Sequence, residues 1–169
     1  PPLLFLTYYT ITSKKSGMQI VYANGKAANK TNVHQDTPDY TKGNIWRIKH
    51  VVGDYYKIYA ADSNYCLDVS GGKIANKTNI QLYQDNGCKP QIFKLQKVSN
   101  QLTTEQDATL QLQEGLYSIA TALDQSKRFD IPSGTSTNGA NVQLYQQNTA
   151  AAQKFIIKKN SNGTYTITA

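Results

Sequence analysis

A carboxylate, a carboxamide and a phenol occur as Asp68, Gln81 and Tyr83, and the same set returns 62 residues further on as Asp130, Gln143 and Tyr145. An ionised Asp only accepts hydrogen bonds, a Gln both accepts and donates, and a Tyr ring offers a flat apolar face with a polar tip. Such groups suit recognition better than bond-making. Cleaving a glycosidic bond takes two acids facing one bond, and Asp68 and Asp130 stand in separate repeats that symmetry would hold far apart. His34 and His50 lack a metal-ligand spacing, and Cys66 and Cys88 add no zinc pattern to them. No Gly-rich phosphate loop opens a helix, and no Gly-x-Ser-x-Gly elbow is found. The expectation is a protein without catalytic residues, metal or cofactor, acting by binding.

The elements that position these residues follow from internal repetition. A shift of 47 lays Tyr9-Thr10-Ile11 on Tyr56-Lys57-Ile58, Gly25 through Val33 on Gly72 through Ile80, and Asn44-Ile45-Trp46 on Gln91-Ile92-Phe93. A shift of 62 carries Leu67-Asp68-Val69 onto Phe129-Asp130-Ile131 and Gln91-Ile92-Phe93 onto Gln153-Lys154-Phe155. Tyr56 reaches Tyr117 at 61, so one gap precedes the Asp, and the extra length falls mainly in the polar stretch Val98 to Glu114. Each unit reads as four short strands with alternating apolar residues, separated by Gly- and Asn-bearing turns. A unit of that size cannot bury its own apolar face, so three must share one core. Threefold repetition argues for closure about an axis over an ordinary β-sandwich. The chain of 169 residues is read as one domain, 1–169, with repeats at about 7–53, 54–114 and 115–160.

The in-register motifs resemble the ricin-B-like lectins, also called carbohydrate-binding module family 13, over Tyr8 to Lys159. That family carries an Asp in a Leu-Asp-Val-like strand, a Gln-x-aromatic strand and a closing Gln-x-Trp in each repeat. Here the closing triplets are Asn44-Ile45-Trp46, Gln91-Ile92-Phe93 and Gln153-Lys154-Phe155. The resemblance implies an all-β fold, a β-trefoil of three four-stranded repeats with pseudo-threefold symmetry. Trp46, Phe93 and Phe155 would then be core residues, with Gln91 and Gln153 supporting the binding loops.

The resemblance also implies a carbohydrate-binding site in repeat two, at Asp68, Gln81 and Tyr83, and another in repeat three, at Asp130, Gln143 and Tyr145. A pyranose has an apolar C–H face for the ring and a hydroxyl edge for the carboxylate, and charge-assisted bonds impose direction. A hydroxyl of the wrong geometry leaves the carboxylate desolvated and unpaired. Pro90 and Ala152 stand where the family often has a sugar-binding Asn, so Asn86 and Asn148 are candidates to supply that amide. Repeat one has Val21, His34 and Asp36 in place of the Asp, Gln and Tyr, and reads as scaffold. The competing reading makes Asp68 and Asp130 turn caps through side-chain-to-backbone bonds and Tyr83 and Tyr145 core aromatics. Cys66 precedes its Asp by two, as a family disulfide cysteine does. The usual partner position holds Asp85 and Cys88 lies three further on, so a Cys66–Cys88 bridge is an expectation with the free thiols as its alternative.

Partners expected on this reading are glycans, galactose-type or related, together with other domains of a larger secreted protein such as a toxin, haemagglutinin or glycosidase. The alternatives are a polysaccharide-binding module of a secreted glycoside hydrolase and a protein-binding trefoil with idle pockets. The net charge is +7, but no basic run exceeds two residues, which reads as solvated surface more than a nucleic-acid stripe. No segment approaches the roughly 18 apolar residues of a membrane-spanning helix. Asn29, Asn76 and Asn162 match the glycosylation pattern and read as turn residues. Residues 161–169 read as an added strand beside Leu3 to Leu6 or as the start of a following module.

Overall fold

The structure, a computed structural model, describes residues 7–37, 43–99 and 112–160. Every unit contributes four strands among these residues. The first has β1 (Tyr8–Ser13), β2 (Gln19–Tyr22), β3 (Val33–Asp36) and β4 (Trp46–Val52). The second has β5 (Tyr55–Ala60), β6 (Tyr65–Val69), β7 (Ile80–Gln84) and β8 (Phe93–Ser99). The third has β9 (Gly115–Thr121), β10 (Asp124–Asp130), β11 (Gln143–Gln146) and β12 (Phe155–Lys159).

The outer strands of each unit carry aromatic-x-aliphatic triplets, and a strand sends alternate residues to one face. Tyr9 and Ile11, Trp46 and Ile48, Tyr56 and Ile58, Phe93 and Leu95, Tyr117 and Ile119, and Phe155 and Ile157 therefore turn together into one hydrophobic cluster. Burying those faces closes the six outer strands into a ring: β1 pairs with β4, β4 with β5, β5 with β8, β8 with β9, β9 with β12 and β12 with β1. Closure leaves no barrel edge exposed. Trp46, Phe93 and Phe155 are each fully buried, in the core role expected of them. Phe129 meets Phe93 and Phe155 edge to face at 5.1 and 6.4 Å. The protein is a β-trefoil.

The inner strands pair as the hairpins β2–β3, β6–β7 and β10–β11. What locks them together is a ring of carboxamides on the pseudo-threefold axis. Asn32 donates to Asn141 (3.0 Å), Asn141 to Asn79 (2.8 Å) and Asn79 to Asn32 (2.8 Å). Around that ring each unit's turn bonds the backbone of the next unit's hairpin, through Lys30 N–H to Leu82, Lys77 N–H to Leu144 and Gly139 N–H to Gln35. Asn29 and Asn76 extend the lock, their Oδ1 atoms accepting from the amides of Gln84 and Gln146 at 2.8 Å. Their carboxamides are turn-and-bridge groups, in line with the turn reading. The stretch 100–111, Asn162, and the pairing of the last residues with Leu3 to Leu6 lie outside the described residues.

Candidate functional site

Each site is built on the second hairpin strand pair. The register sets Asp68 opposite Gln81 and Asp130 opposite Gln143, so each carboxylate and carboxamide leave the same face of their hairpin. The same register sets Val21 opposite His34 in the first unit, the position where the motif is lost. A tight turn follows each Asp-bearing strand, Ser70–Gly72 and Pro132–Gly134. Gly72 and Gly134 close these turns with φ of 63° and 60°, backbone that a residue without Cβ adopts cheaply. The turn and the loop after the Tyr form the walls above the Asp.

Asp68 and Asp130 are 8% and 7% exposed, enough for contact at the surface and little else. Their oxygens meet carboxamides, and no main-chain amide among the described residues. Asp68 receives Gln81 Nε2 on Oδ1 and Gln91 Nε2 on Oδ2, both at 3.1 Å. Asp130 receives Gln143 Nε2 at 3.0 Å, and the buried Gln153 carboxamide lies near enough to help lower the carboxyl's pKa. A carboxylate offers about four lone-pair directions, so two amides orient the group and leave acceptor capacity for a ligand. Burial raises the pKa of both carboxyls, and the carboxamide bonds pull it partly back.

Gln91 and Gln153 are 0% and 2% exposed, so their place is behind the Asp. Each carboxamide ties three segments together. Gln91 also donates to Gln84 O (2.9 Å) and accepts from Asn86 N–H (3.0 Å). Gln153 repeats this with Gln146 O and Asn148 N–H, both at 2.9 Å. Asn86 and Asn148 in turn accept, through Oδ1, the amides of Cys88 and Ala150 at 2.9 Å. Their oxygens fold the loop, and both side chains are exposed with Nδ2 unpaired among the described residues. Tyr83 and Tyr145 are half-buried rather than core residues, and their hydroxyls have no protein partner among the described residues.

In the third unit these groups come together on a cleft of about 780 Å³ lined by Asp130, Gln143, Tyr145 and Asn148. Lys77 from the second unit and Lys15 from the first complete its rim. Neither lysine stood out in the sequence, because each is borrowed from another unit and only cross-unit packing brings it there. Among the described residues the first unit has no comparable chemistry. Val21 is buried on the face opposite its core neighbours Ile20 and Tyr22, His34 Nδ1 lies 3.1 Å from Gln35 O, and Asp36 accepts from Thr37 N–H at 2.7 Å. Asn44, one methylene shorter than Gln, donates to Gln19 at 2.9 Å and leaves its buried Oδ1 without a partner among the described residues.

The expected Cys66–Cys88 bridge does not form: Cys66 is a buried free thiol and Cys88 an exposed one. Asp85, at the family's second cysteine position, explains why. It accepts from Lys57 Nζ (2.5 Å) and Tyr59 Oη (2.6 Å), an ion-paired network whose charges are near Cys66 and which stands where the family's second cysteine would. Cys88 meanwhile is held in its own loop by Asn86. Among the described residues no three His, Cys, Asp or Glu gather as a metal site requires, and no helix is long and apolar enough to cross a membrane.

The fold and the paired hairpin sites define a ricin-type trefoil, and the comparisons with known proteins agree. The ricin-type beta-trefoil lectin domain-like family matches residues 5–83 and 101–169, and the chain belongs to that family. A 53-residue stretch is 38% identical to flavastacin of Elizabethkingia meningoseptica, covering 31% of this chain but only 12% of that protein. Among solved structures, the exo-β-1,3-galactanase 1,3Gal43A of Clostridium thermocellum superposes with a TM-score of 0.78 at 21% identity, over 91% of this chain and 30% of that one. The ricin B-like lectin of Macrolepiota procera, solved with lactose, gives 0.69 at 19% identity, over 95% of this chain and 100% of that one. At these identities the structures share the fold.

Proposed function

We propose that the protein is a non-catalytic lectin module that holds galactose-type or related hexoses at two sites, Asp68–Gln81–Tyr83 and Asp130–Gln143–Tyr145. The observation that carries this is the state of the two carboxylates: nearly desolvated, gripped only by carboxamides, and set beside a half-buried tyrosine in both units. A desolvated acceptor with spare lone pairs selects for hydroxyls at fixed positions, because a ligand lacking them leaves the charge unsolvated. The ring takes the apolar C–H face of the sugar. Gln91 and Gln153 position the carboxylates and the loops, and Asn86 and Asn148 offer an amide at the rim. Lactose in the Macrolepiota lectin supports the galactose-type reading.

Each site is expected to bind weakly, with Kd of roughly 0.1–10 mM, and two sites on one domain gain strength on a crowded surface through avidity. Because this chain spans 12% of flavastacin and 30% of the galactanase, it is proposed to serve as a targeting module of a larger secreted protein. The test is a glycan array that includes plant galactans, probed with wild type, Asp68→Ala, Asp130→Ala and the double variant. Wild-type binding confined to glycans, weakened in each single variant and lost in the double, supports the proposal. Equal binding by all four proteins overturns the site assignment.

A further inference from the structure

Beside the third-unit site lies a second cleft of about 320 Å³, sharing Asn148 with the first. Its lining includes Arg128, Lys97 and Lys154, and no acidic residue. Arg128 is 6% exposed, and its guanidinium is met by neutral acceptors alone: Gln125 O at 3.1 Å, Gln96 Oε1 at 3.1 Å, Ser118 Oγ at 2.7 Å and Gln147 Oε1 at 3.4 Å. No carboxylate pairs with it among the described residues. Buried charges in folded proteins are normally paired, so the missing counter-charge calls for an explanation.

The second unit supplies a control within the same molecule. By the shifts that relate the units, Cys66 stands where Arg128 does, Lys57 where Ser118 does and Asp85 where Gln147 does. There the cation and its carboxylate are both present, at 2.5 Å. In the third unit the cation has moved to the neighbouring strand and the acid has become an amide. The protein carries its own anion in one unit and lacks it in the other.

We propose that the Arg128 cleft is a subsite for an oxyanion, a sulfate ester or carboxylate, borne by the glycan whose hexose sits at Asp130 and Tyr145. The register places Arg128 opposite Tyr145 and two residues from Asp130 on one strand face, about 7 Å away. That distance is on the scale of one sugar ring, so a substituent on the bound residue or its neighbour reaches the guanidinium. Lys97 and Lys154 add positive potential; their ammonium groups donate to Gln113 Oε1 (3.1 Å) and Thr149 O (2.7 Å). Four of the five guanidinium N–H groups already meet protein acceptors, so the oxyanion takes the remaining Nη2–H and the charge that no carboxylate offsets.

The placement of the hexose rests on the lectin reading, whereas the anion site itself does not, and the experiment separates the two. In an Asp68→Ala background, which isolates the third unit, affinities are measured for a neutral galactoside, its sulfated counterpart and a carboxylate-bearing counterpart. Sodium sulfate alone is titrated while the Arg128 Nε–H resonance is followed. The acidic glycans should bind about tenfold tighter at low salt, the preference shrinking as ionic strength rises. Gln147→Glu, which installs the acid that the second unit has, should abolish that preference and leave neutral binding unchanged, with Arg128→Gln as the second variant. Equal affinity for neutral and acidic glycans in the parent, or a preference that survives Gln147→Glu, overturns the proposal. Sulfate shifting Arg128 in a protein that binds no glycan sustains the anion site and sinks the lectin reading. Neutral binding through Asp130 with no response to anions does the reverse.

Discussion

The second and third units put the same Asp, Gln, Tyr and buried Gln on the same register positions, yet differ in the layer beneath. Under Tyr83 lie Cys66, Asp85, Lys57 and Tyr59, closed by an ion pair and a phenol hydrogen bond. Under Tyr145 lie Arg128, Gln147 and Ser118, closed by a guanidinium and neutral acceptors. Between these two units the core face and the proposed binding face change little, since one fills the barrel and the other holds a carboxylate. The layer between is free to change as long as its donors meet acceptors. In the first unit the outer face lacks the carboxylate: Val21 is buried there, and Asn44 leaves an oxygen without a partner among the described residues.

The largest contrast expected is in thiol chemistry, confined to the second unit. Burial pushes the Cys66 thiol up to about 12, while Cys88 is exposed. Because the thiolate is the reactive form, native protein should take up one equivalent of a disulfide reagent at least about a thousandfold faster than the second. The second equivalent should appear only on unfolding. Two thiols of similar rate would erase the contrast, and none even after unfolding without reductant would restore the bridge.

Next come the two carboxylates, whose removal tests whether the sites are alike in use as in form. Asp130→Ala should weaken third-unit binding by about a hundredfold, the scale of lost charge-assisted bonds, and Asp68→Ala should do the same in the second unit. Calorimetric titration of each single variant reads the surviving site. A variant that keeps both sites shows that its Asp holds structure only.

The supporting layers should differ in stability. Asp85→Ala strands Lys57 and Tyr59, whose pair lies at 13% and 21% side-chain exposure for Lys57 and Asp85. It should cost about 2 kcal/mol, or roughly 6 °C in Tm for a domain of this size. Gln147→Ala, its counterpart, removes one long neutral bond and should cost about 1 kcal/mol or less. Thermal denaturation of the two variants checks the ratio, and equal losses would erase the distinction drawn between the layers.

Much of this was legible in the residues because the repeat aligned positions whose roles are local. Asp68 and Gln81 face one another through simple strand register, and Phe93 or Phe155 is core by alternation, so identity across units carried the role. Asn32, Asn79 and Asn141 recurred visibly, but nothing in a linear shift says that three side chains meet on an axis. Lys15 and Lys77 reach the third cleft from other units, which requires the packing. Arg128 carries no repeat signal, because its counterpart 62 residues earlier is Cys66. Arg128 and the Lys57–Asp85 pair correspond only in three dimensions, since the cation changes strand.

The smallest effect expected is one of pH, and its sign differs between the layers. Asp85 is lowered to about 2, chiefly by the Lys57 and Tyr59 hydrogen bonds. A folded pKa below the unfolded value near 4 gives stability that is present above about pH 4 and lost as pH falls toward 2. Asp68 and Asp130 are raised by burial, so the folded state takes their protons more readily than the unfolded chain. Their ionisation therefore subtracts stability as pH rises through and above the ordinary carboxylate range. Comparing Asp68→Asn with wild type from about pH 3 to pH 6, the stability difference should tilt toward the variant, whereas for Asp85→Asn it should tilt toward wild type. Glycan affinity should follow the opposite course to the Asp68 term, rising with pH as the acceptors ionise. A site whose charge costs the fold and serves the ligand is one kept for binding, and parallel stability and affinity profiles would show the carboxylates to be structural instead.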